Sequence, residues 1–129
     1  MDQLRDLAER YTEAWCSRDP VRVASYYVPG ATIAINGGEP TEITEVARSF
    51  IAAFPDIEVV MDGLVVKDGG VEYRWTFTGT NTGPGGTGKS VRISGFEEWT
   101  MAGDGLIASS LGHYDQAEYD RQLEHGAGP

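Results

Sequence analysis

The chain has 129 residues, enough for one domain whose core needs no metal or disulfide to hold it. Its 20 Asp and Glu against 10 Lys and Arg give a formal charge of -10, which repels phosphate backbones and anionic lipid, so neither nucleic acid nor a membrane surface is an expected partner. The single cysteine, Cys16, excludes a disulfide within the chain and reads as a small buried apolar residue.

The first segment, MDQLRDLAERYTEAW, is charged and amphipathic. It has neither a basic-then-apolar leader nor an apolar run of membrane-spanning length, so a cytoplasmic location is expected. Leu4, Leu7, Ala8, Tyr11, Ala14 and Trp15 recur at the three-and-four spacing of a helix over residues 2–17. Tyr11 and Trp15 lie one turn apart on its buried stripe, where core packing is the commonest role of aromatic rings. Asp19 as N-cap and Pro20 at the first helical position predict a short second helix through Val21, Val23, Ala24 and Tyr27, stopped by Pro29-Gly30. Ala31 to Asn36 reads as a short strand closed by Gly37-Gly38. Thr41 or Thr44 then caps a third helix carrying Ile43, Val46, Ala47, Phe50 and Phe54, ended by Pro55.

From Ile57 onward the periodicity changes to two. Strands are predicted over Ile57 to Val66, Val71 to Asn81, Lys89 to Met101 and Leu106 to about Tyr114, with a short amphipathic helix after the last. In the second of these, VEYRWTFTGTN, Val71, Tyr73, Trp75, Phe77 and Gly79 form one apolar row that closes on Asn81, while Glu72, Arg74, Thr76, Thr78 and Thr80 face the other way. The loop TNTGPGGTGKS ends in Gly-Lys-Ser but is followed by strand character rather than a helix, so it reads as a hairpin connection and not as a phosphate loop. Helices first and a meander of long strands after predict an α+β fold, not the alternation of a parallel sheet. One domain over 1–124 and a flexible tail over 125–129 are expected.

A sheet covered by helices on one face and long enough to curl leaves a cone with a pocket at its wide end. Its wall would come from the concave sheet face and the stripe bearing Tyr11 and Trp15. If no bulge intervenes, the last strand presents Ile107, Ser109, Leu111, His113 and Asp115 on one face, which sets a carboxylate at the end of an apolar row. Asn36, at the end of the first strand, is a further polar candidate. His113 and His125 are the only histidines, so no metal cluster is expected.

Trp15 with Arg18-Asp19, Phe54-Pro55-Asp56, the run RWTFTGTNTG, Thr87-Gly88-Lys89, Leu106-Ile107 and Asp115 with Gln122-Leu123 together resemble the SnoaL-like polyketide cyclases. These fall within the nuclear transport factor 2-like superfamily, which also holds ketosteroid isomerase. The resemblance covers nearly the whole chain and implies a cystatin-like fold: a cone-shaped, curved antiparallel or mixed β-sheet wrapped around N-terminal α-helices. It further implies that Asp115, just after the last strand, is the general acid/base. Where those cyclases commonly carry a His, this chain has Asn81, an amide that orients a carbonyl but accepts no proton near neutral pH. Tyr11 matches the helix-borne phenol of ketosteroid isomerase. That enzyme also needs a carboxylate where this chain has Ile35-Asn36 and a protonated Asp where it has Ser94-Gly95, so its mechanism is not expected. The epoxide hydrolases of this fold need an Asp-Arg-Asp set, and Arg74 faces away from Asn81.

Cofactor-free acid/base chemistry on a hydrophobic, carbonyl-bearing small molecule is therefore expected, of cyclase or isomerase type. Asp115, desolvated beside Leu111, Trp75 and Phe77, would move the proton, and Asn81 and Tyr11 would donate to the developing enolate. Trp15, Asn36, Phe54, Trp75, Phe77, Trp99, Leu111 and His113 would complete the ligand wall. Each polar residue has a plainer role open to it: Asp115 as N-cap of the tail helix, Asn81 satisfying its own turn, His113 as a partly exposed strand residue. A noncatalytic member binding an apolar ligand or a protein is the alternative, because one scaffold hosts both kinds. The superfamily resemblance and the Thr-rich outer row with Arg74 and Arg92 point to a homodimer paired through the convex sheet face.

Overall fold

The computed structural model describes residues 2–127, so Pro129 and Gly128 of the expected tail lie outside the described residues. Helices α1 (Asp2–Cys16), α2 (Pro20–Ala24) and α3 (Ile43–Ala53) come before all but the two shortest strands. Asp19 caps α2 as its sequence demands, its carboxylate accepting from the Val21 and Arg22 amides, but the helix stops at Ala24 rather than Tyr27. Tyr27 is instead drawn into a parallel bridge with Ile107. Strand β1 is Thr32–Ile35; the residues expected to open the third helix form β2 (Thr41–Glu42), so α3 begins at Ile43 with no side-chain cap. The long meander follows: β3 (Glu58–Lys67), β4 (Gly70–Thr80), β5 (Ser90–Met101) and β6 (Ile107–Tyr114), then α4 (Gln116–His125).

The six strands form one mixed sheet in the order β2-β1-β6-β5-β4-β3, antiparallel throughout except where β1 runs parallel to β6. The period-two row of β4 is realised as expected. Val71, Tyr73, Trp75 and Phe77 are buried against α1 and α3, and Arg74 and Thr78 are exposed on the convex side. Rings lock the two layers together: Tyr73 stacks on Trp99 at 4.8 Å, Tyr11 meets both edge-on, and Phe77 meets Phe54 and Phe50 edge-on. Such pairs add about 0.5–1.5 kcal/mol each beyond the area they bury.

Two bulges bend the sheet. One lies at Met61/Gly63 of β3, and the other lies opposite Thr100/Met101, where Thr100 pairs with Ser109 but Met101 pairs with Ile107. The second overturns an expectation. One extra residue reverses the facing of everything beyond it, so Ile107 points inward but Ser110, Gly112 and Tyr114 continue the concave row, and Ser109, Leu111 and His113 turn outward. The pairing of the tail helix is also local: Gln122 of α4 is buried and accepts the Arg92 amide at 2.6 Å, which fastens the helix to β5.

Candidate functional site

Strand β5 carries Val91, Ile93, Gly95, Glu97 and Trp99 on its concave face, and four of these five are apolar or glycine. Glu97 is the exception: a carboxylate inside the core. An isolated charge there would be prohibitive, so its surroundings supply donors. Trp99 Nε1–H donates to Oε1 at 2.8 Å, Tyr11 donates to Oε1 at 3.1 Å, and Tyr27 and Ser110 approach the same oxygen at 3.4 Å. The other oxygen, Oε2, has only the Tyr11 hydroxyl at 3.3 Å, whose single proton it must share with Oε1. One oxygen is thus anchored and the other has no donor of its own.

Burial pushes the Glu97 carboxyl above the ordinary value of 4.5, against the opposing pull of its four donors. The same burial, with the Glu97 charge beside it, pushes the Tyr11 and Tyr27 phenols well up, so both stay protonated and able to donate. Tyr11 and Tyr27 also touch each other, hydroxyl to hydroxyl at 3.1 Å, which joins α1, the segment after α2, and β5 in one buried network.

Glu97 lines a cavity of about 60 Å³, partly open to solvent, whose other walls are Trp15 from α1, Val46 and Phe50 from α3, and Trp75, Phe77, Gly112 and Tyr114 from the sheet. Almost all of that lining is apolar. Trp75 sits over Gly95 of the neighbouring strand, and a Cβ at Gly95 would fall 2.8 Å from the indole Cζ2 and 2.3 Å from the His113 carbonyl oxygen, so only glycine lets the ring lie there. The Trp75 Nε1–H is buried and has no hydrogen-bond partner among the described residues. A wider depression of about 550 Å³, lined by Arg18, Asp56, Glu58, Thr80 and Arg92, is polar and open. Three of its charged residues are engaged, Arg18 with Glu58 at 3.8 Å and Asp56 with Thr80 at 2.7 Å, so the smaller apolar cavity with a buried acid is the stronger candidate. No group of three or more His, Cys, Asp or Glu side chains that could hold a metal occurs among the described residues.

The structure brings only some of the sequence candidates together. Trp15, Trp75 and Phe77 line the cavity; Tyr11 and Trp99 stand behind it, bonded to Glu97. Phe54 is fully buried against Phe77 and does not line the cavity. Asp115, expected to be desolvated, is exposed: it is the N-cap of α4 and accepts from the Glu118 amide at 3.1 Å. Leu111, 49% exposed, and His113, paired with Glu98 at 2.8 Å, lie on the convex face because of the β6 bulge. Asn36 adopts a left-handed conformation (φ 52°), accepts the Tyr114 amide and donates to Gln116, and so ties the end of β1 to the end of β6. Asn81 is buried, but donates to the Ala53 carbonyl and accepts from the Thr87 amide, holding the Gly-rich loop closed. Sequence reasoning missed Glu97 and judged the acid of β5 absent at Ser94-Gly95. The signal was the alternation itself, since Val91, Ile93, Gly95 and Trp99 put Glu97 in the inward row.

Residues 8–110 match the SnoaL-like domain, and the chain belongs to that family. No protein with a curated description matches it in sequence. Among solved structures it is similar to AclR, a candidate hydroxylase from Streptomyces galilaeus, at 18% identity over 97% of this chain and 98% of that one, with a TM-score of 0.80. It is similar also to IdmH, a candidate polyketide cyclase from Streptomyces antibioticus, at 22% identity over 95% and 99% of the two chains and a TM-score of 0.74. A protein of ketosteroid isomerase-like fold from Catenulispora acidiphila, solved with trimethylamine, matches at 13% identity over 92% of each chain with a TM-score of 0.77. These likenesses establish the nuclear transport factor 2-like fold. No helix among the described residues is long and apolar enough to cross a membrane.

Proposed function

We propose that the protein is a small-molecule enzyme of SnoaL-like type that performs cofactor-free proton transfer on an apolar, carbonyl-bearing ligand, with Glu97 rather than Asp115 as the acid/base. The observation that carries this reading is a buried carboxyl lining an apolar cavity, with one oxygen anchored by four donors and the other reached only by the shared Tyr11 hydroxyl. A carboxylate raised above its ordinary range is a better base for a carbon acid, and a dry site strengthens its pull on the proton. The ionised Oε2 takes a hydrogen from the carbon next to a carbonyl. The electron pair moves to the carbonyl oxygen, and returning the proton to the same or another carbon gives exchange or isomerisation; attack of the enolate carbon on a second carbonyl opens its π bond to an alkoxide, which takes the proton back from Glu97 and completes a cyclisation. A cavity of about 60 Å³ suits the reacting end of such a ligand, with the remainder passing through the opening. Asp115 keeps no part in this chemistry, being exposed and engaged at the start of α4.

The four donors converging on Glu97 Oε1 are also what a purely structural buried carboxylate requires, and they favour a noncatalytic binder as the second reading. Hydrogen–deuterium exchange at the α-carbons of 2-indanone, followed by proton NMR, separates the two without knowledge of the natural ligand. The wild-type protein should accelerate the exchange. Glu97→Gln should remove that acceleration, by about 10²–10⁴-fold if the carboxyl is the base, while Asp115→Asn should leave it unchanged. Equal exchange with and without the wild-type protein, in the presence of measured binding, leaves the binder.

A further inference from the structure

A ligand that passes through the opening of the cavity meets whatever polar side chains stand there. Four residues of the cavity wall keep some exposure to solvent: Ile35 at the end of β1, Val46 and Phe50 one turn apart on α3, and Tyr114 at the end of β6. They mark the mouth. Three of the four are apolar, so the Tyr114 hydroxyl is the one polar side-chain group among them. The donors deeper in the wall are occupied or shut off: Tyr73 pairs with Thr12, the Trp15 indole serves the Tyr11 hydroxyl, and the Trp75 nitrogen is closed to solvent. The Tyr114 hydroxyl makes no hydrogen bond among the described residues and is not closed off in this way.

Its place in the sheet decides which part of a ligand it meets. Gly112 lies opposite Glu97 and Tyr114 lies opposite Gly95, so the phenol is rooted one two-residue step, about 7 Å, nearer the mouth than the acid. The Glu97 side chain leans the other way, toward Trp99 and Ser110, which pair one step further in. The Tyr114 ring packs edge-on against Tyr119 of α4 at 5.4 Å and against Trp75 at 6.2 Å. Part burial and the Asp120 charge of α4 push its phenol up, which keeps the hydroxyl protonated and able to donate. A single C=O bond of about 1.2 Å, on the carbon next to the one held at Oε2, does not bridge that separation. An acceptor several bonds away does.

We propose that the Tyr114 hydroxyl binds a second acceptor oxygen of the ligand, at the end that projects through the mouth, so that the ligand class is one with two oxygen functions separated by about 7 Å of apolar framework. This rests on the reading of the cavity as the ligand site. The hydroxyl acts on binding alone: it moves no proton, and no bond is made or broken through it. Tyr114 thus sets which ligand is held and in which direction, with the reacting carbonyl inward and the second oxygen at the opening.

The probes are trans-decalin-2,6-dione, whose two equivalent carbonyl oxygens lie about 7 Å apart, and trans-2-decalone, the same body with one carbonyl. Isothermal titration of both into wild type and into Tyr114→Phe, which keeps the ring and removes the hydroxyl, gives two affinity ratios. The affinity of the dione relative to 2-decalone should fall about five- to tenfold in the variant. Loss of packing alone weakens both ligands together; a ratio that stays in place overturns the proposal. In wild-type protein carrying ¹³C at the tyrosine Cζ atoms, the Tyr114 signal should move further with the dione than with 2-decalone, a measurement that needs no stable variant. Equal movement also overturns the proposal, and neither result touches Glu97. Glu97→Gln that exchanges 2-indanone as fast as wild type, while Tyr114 still separates dione from monoketone, overturns the acid/base and leaves the contact at the mouth. Wild-type protein that binds neither bicyclic ketone overturns both.

Discussion

Two carboxylates of this chain are candidates for the acid/base, and their surroundings are opposite. Glu97 lies in the middle of β5, roofed by α1 and reached by two phenols, an indole and a serine hydroxyl. Asp115 lies one residue beyond β6, where the chain leaves the sheet and the first amides of α4 lack partners, and its side chain satisfies one of them. The first is costly to fold around and is therefore informative about function; the second is an inexpensive and common use of Asp. A carboxylate at the end of a strand is easily taken for a site residue, whereas burial with converging donors is the discriminating property.

The largest stability effect expected from breaking this contrast is at Tyr11. Its hydroxyl is the only donor shared by both Glu97 oxygens, so Tyr11→Phe removes a hydrogen bond to an ionisable buried group, expected to cost about 1.5–3 kcal/mol in urea unfolding at neutral pH. Losing a donor to the charged form also raises the Glu97 carboxyl further, so whatever pH dependence the exchange reaction shows should move to higher pH in the variant. A Tyr11→Phe protein with wild-type stability and an unmoved pH profile would mean that Glu97 does not depend on this phenol.

The second effect is in the pH dependence of stability. The folded carboxyl of Glu97 titrates above its ordinary 4.5, so between that value and the raised one the folded chain holds more protons than the unfolded chain. The contribution of neutral Glu97 is therefore fully present below 4.5 and is lost as pH rises through the folded value, with a slope of at most about 1.4 kcal/mol per pH unit. Glu97→Gln, which does not titrate, should flatten that part of the stability profile. The corresponding change at Asp115 should leave the slope as it is. Urea midpoints across the acid-to-neutral range measure both, and a slope identical in wild type and Glu97→Gln would contradict the burial-driven shift.

What was legible in the residues follows from how local each determinant is. The inward row of β4, the Asp19-Pro20 start of α2 and the α+β order depend on neighbours a few residues apart, and all three are found as read. The facing of β6 is not local. It turns on one bulged residue set by pairing with β5, and a single-residue slip moved Leu111 and His113 to the convex face and brought Ser110 and Tyr114 inward. The parallel pairing of β1 with β6 joins segments more than seventy residues apart and leaves no trace in either segment alone. Glu97 was legible in principle, yet its neighbours obscured it. Phe96 beside it has the wrong polarity for an outward position, and is accommodated there by the ring of His113 and the guanidinium of Arg74. Pairing two adjacent acids with a strict alternation requires one of them to be inside, and that constraint identifies the site better than any resemblance in the last strand.

The smallest expected effect closes the comparison from the other side. If Asp115 serves only to cap α4, its contribution is one hydrogen bond to the Glu118 amide plus a favourable charge near the start of a short helix. Asp115→Ala should then cost about 1 kcal/mol, and Asp115→Asn, which caps about as well, should cost a few tenths at most. Because Gln122 at the far end of α4 holds β5 through the Arg92 amide, fraying at the capped end should leave that anchor intact, and the cavity with it. The exchange rate with 2-indanone should therefore be the same in all three proteins even though their urea midpoints differ. An Asp115→Ala protein of unchanged stability but lost exchange would reverse the assignment of the two carboxylates, since a cap reveals itself in stability and a base in rate.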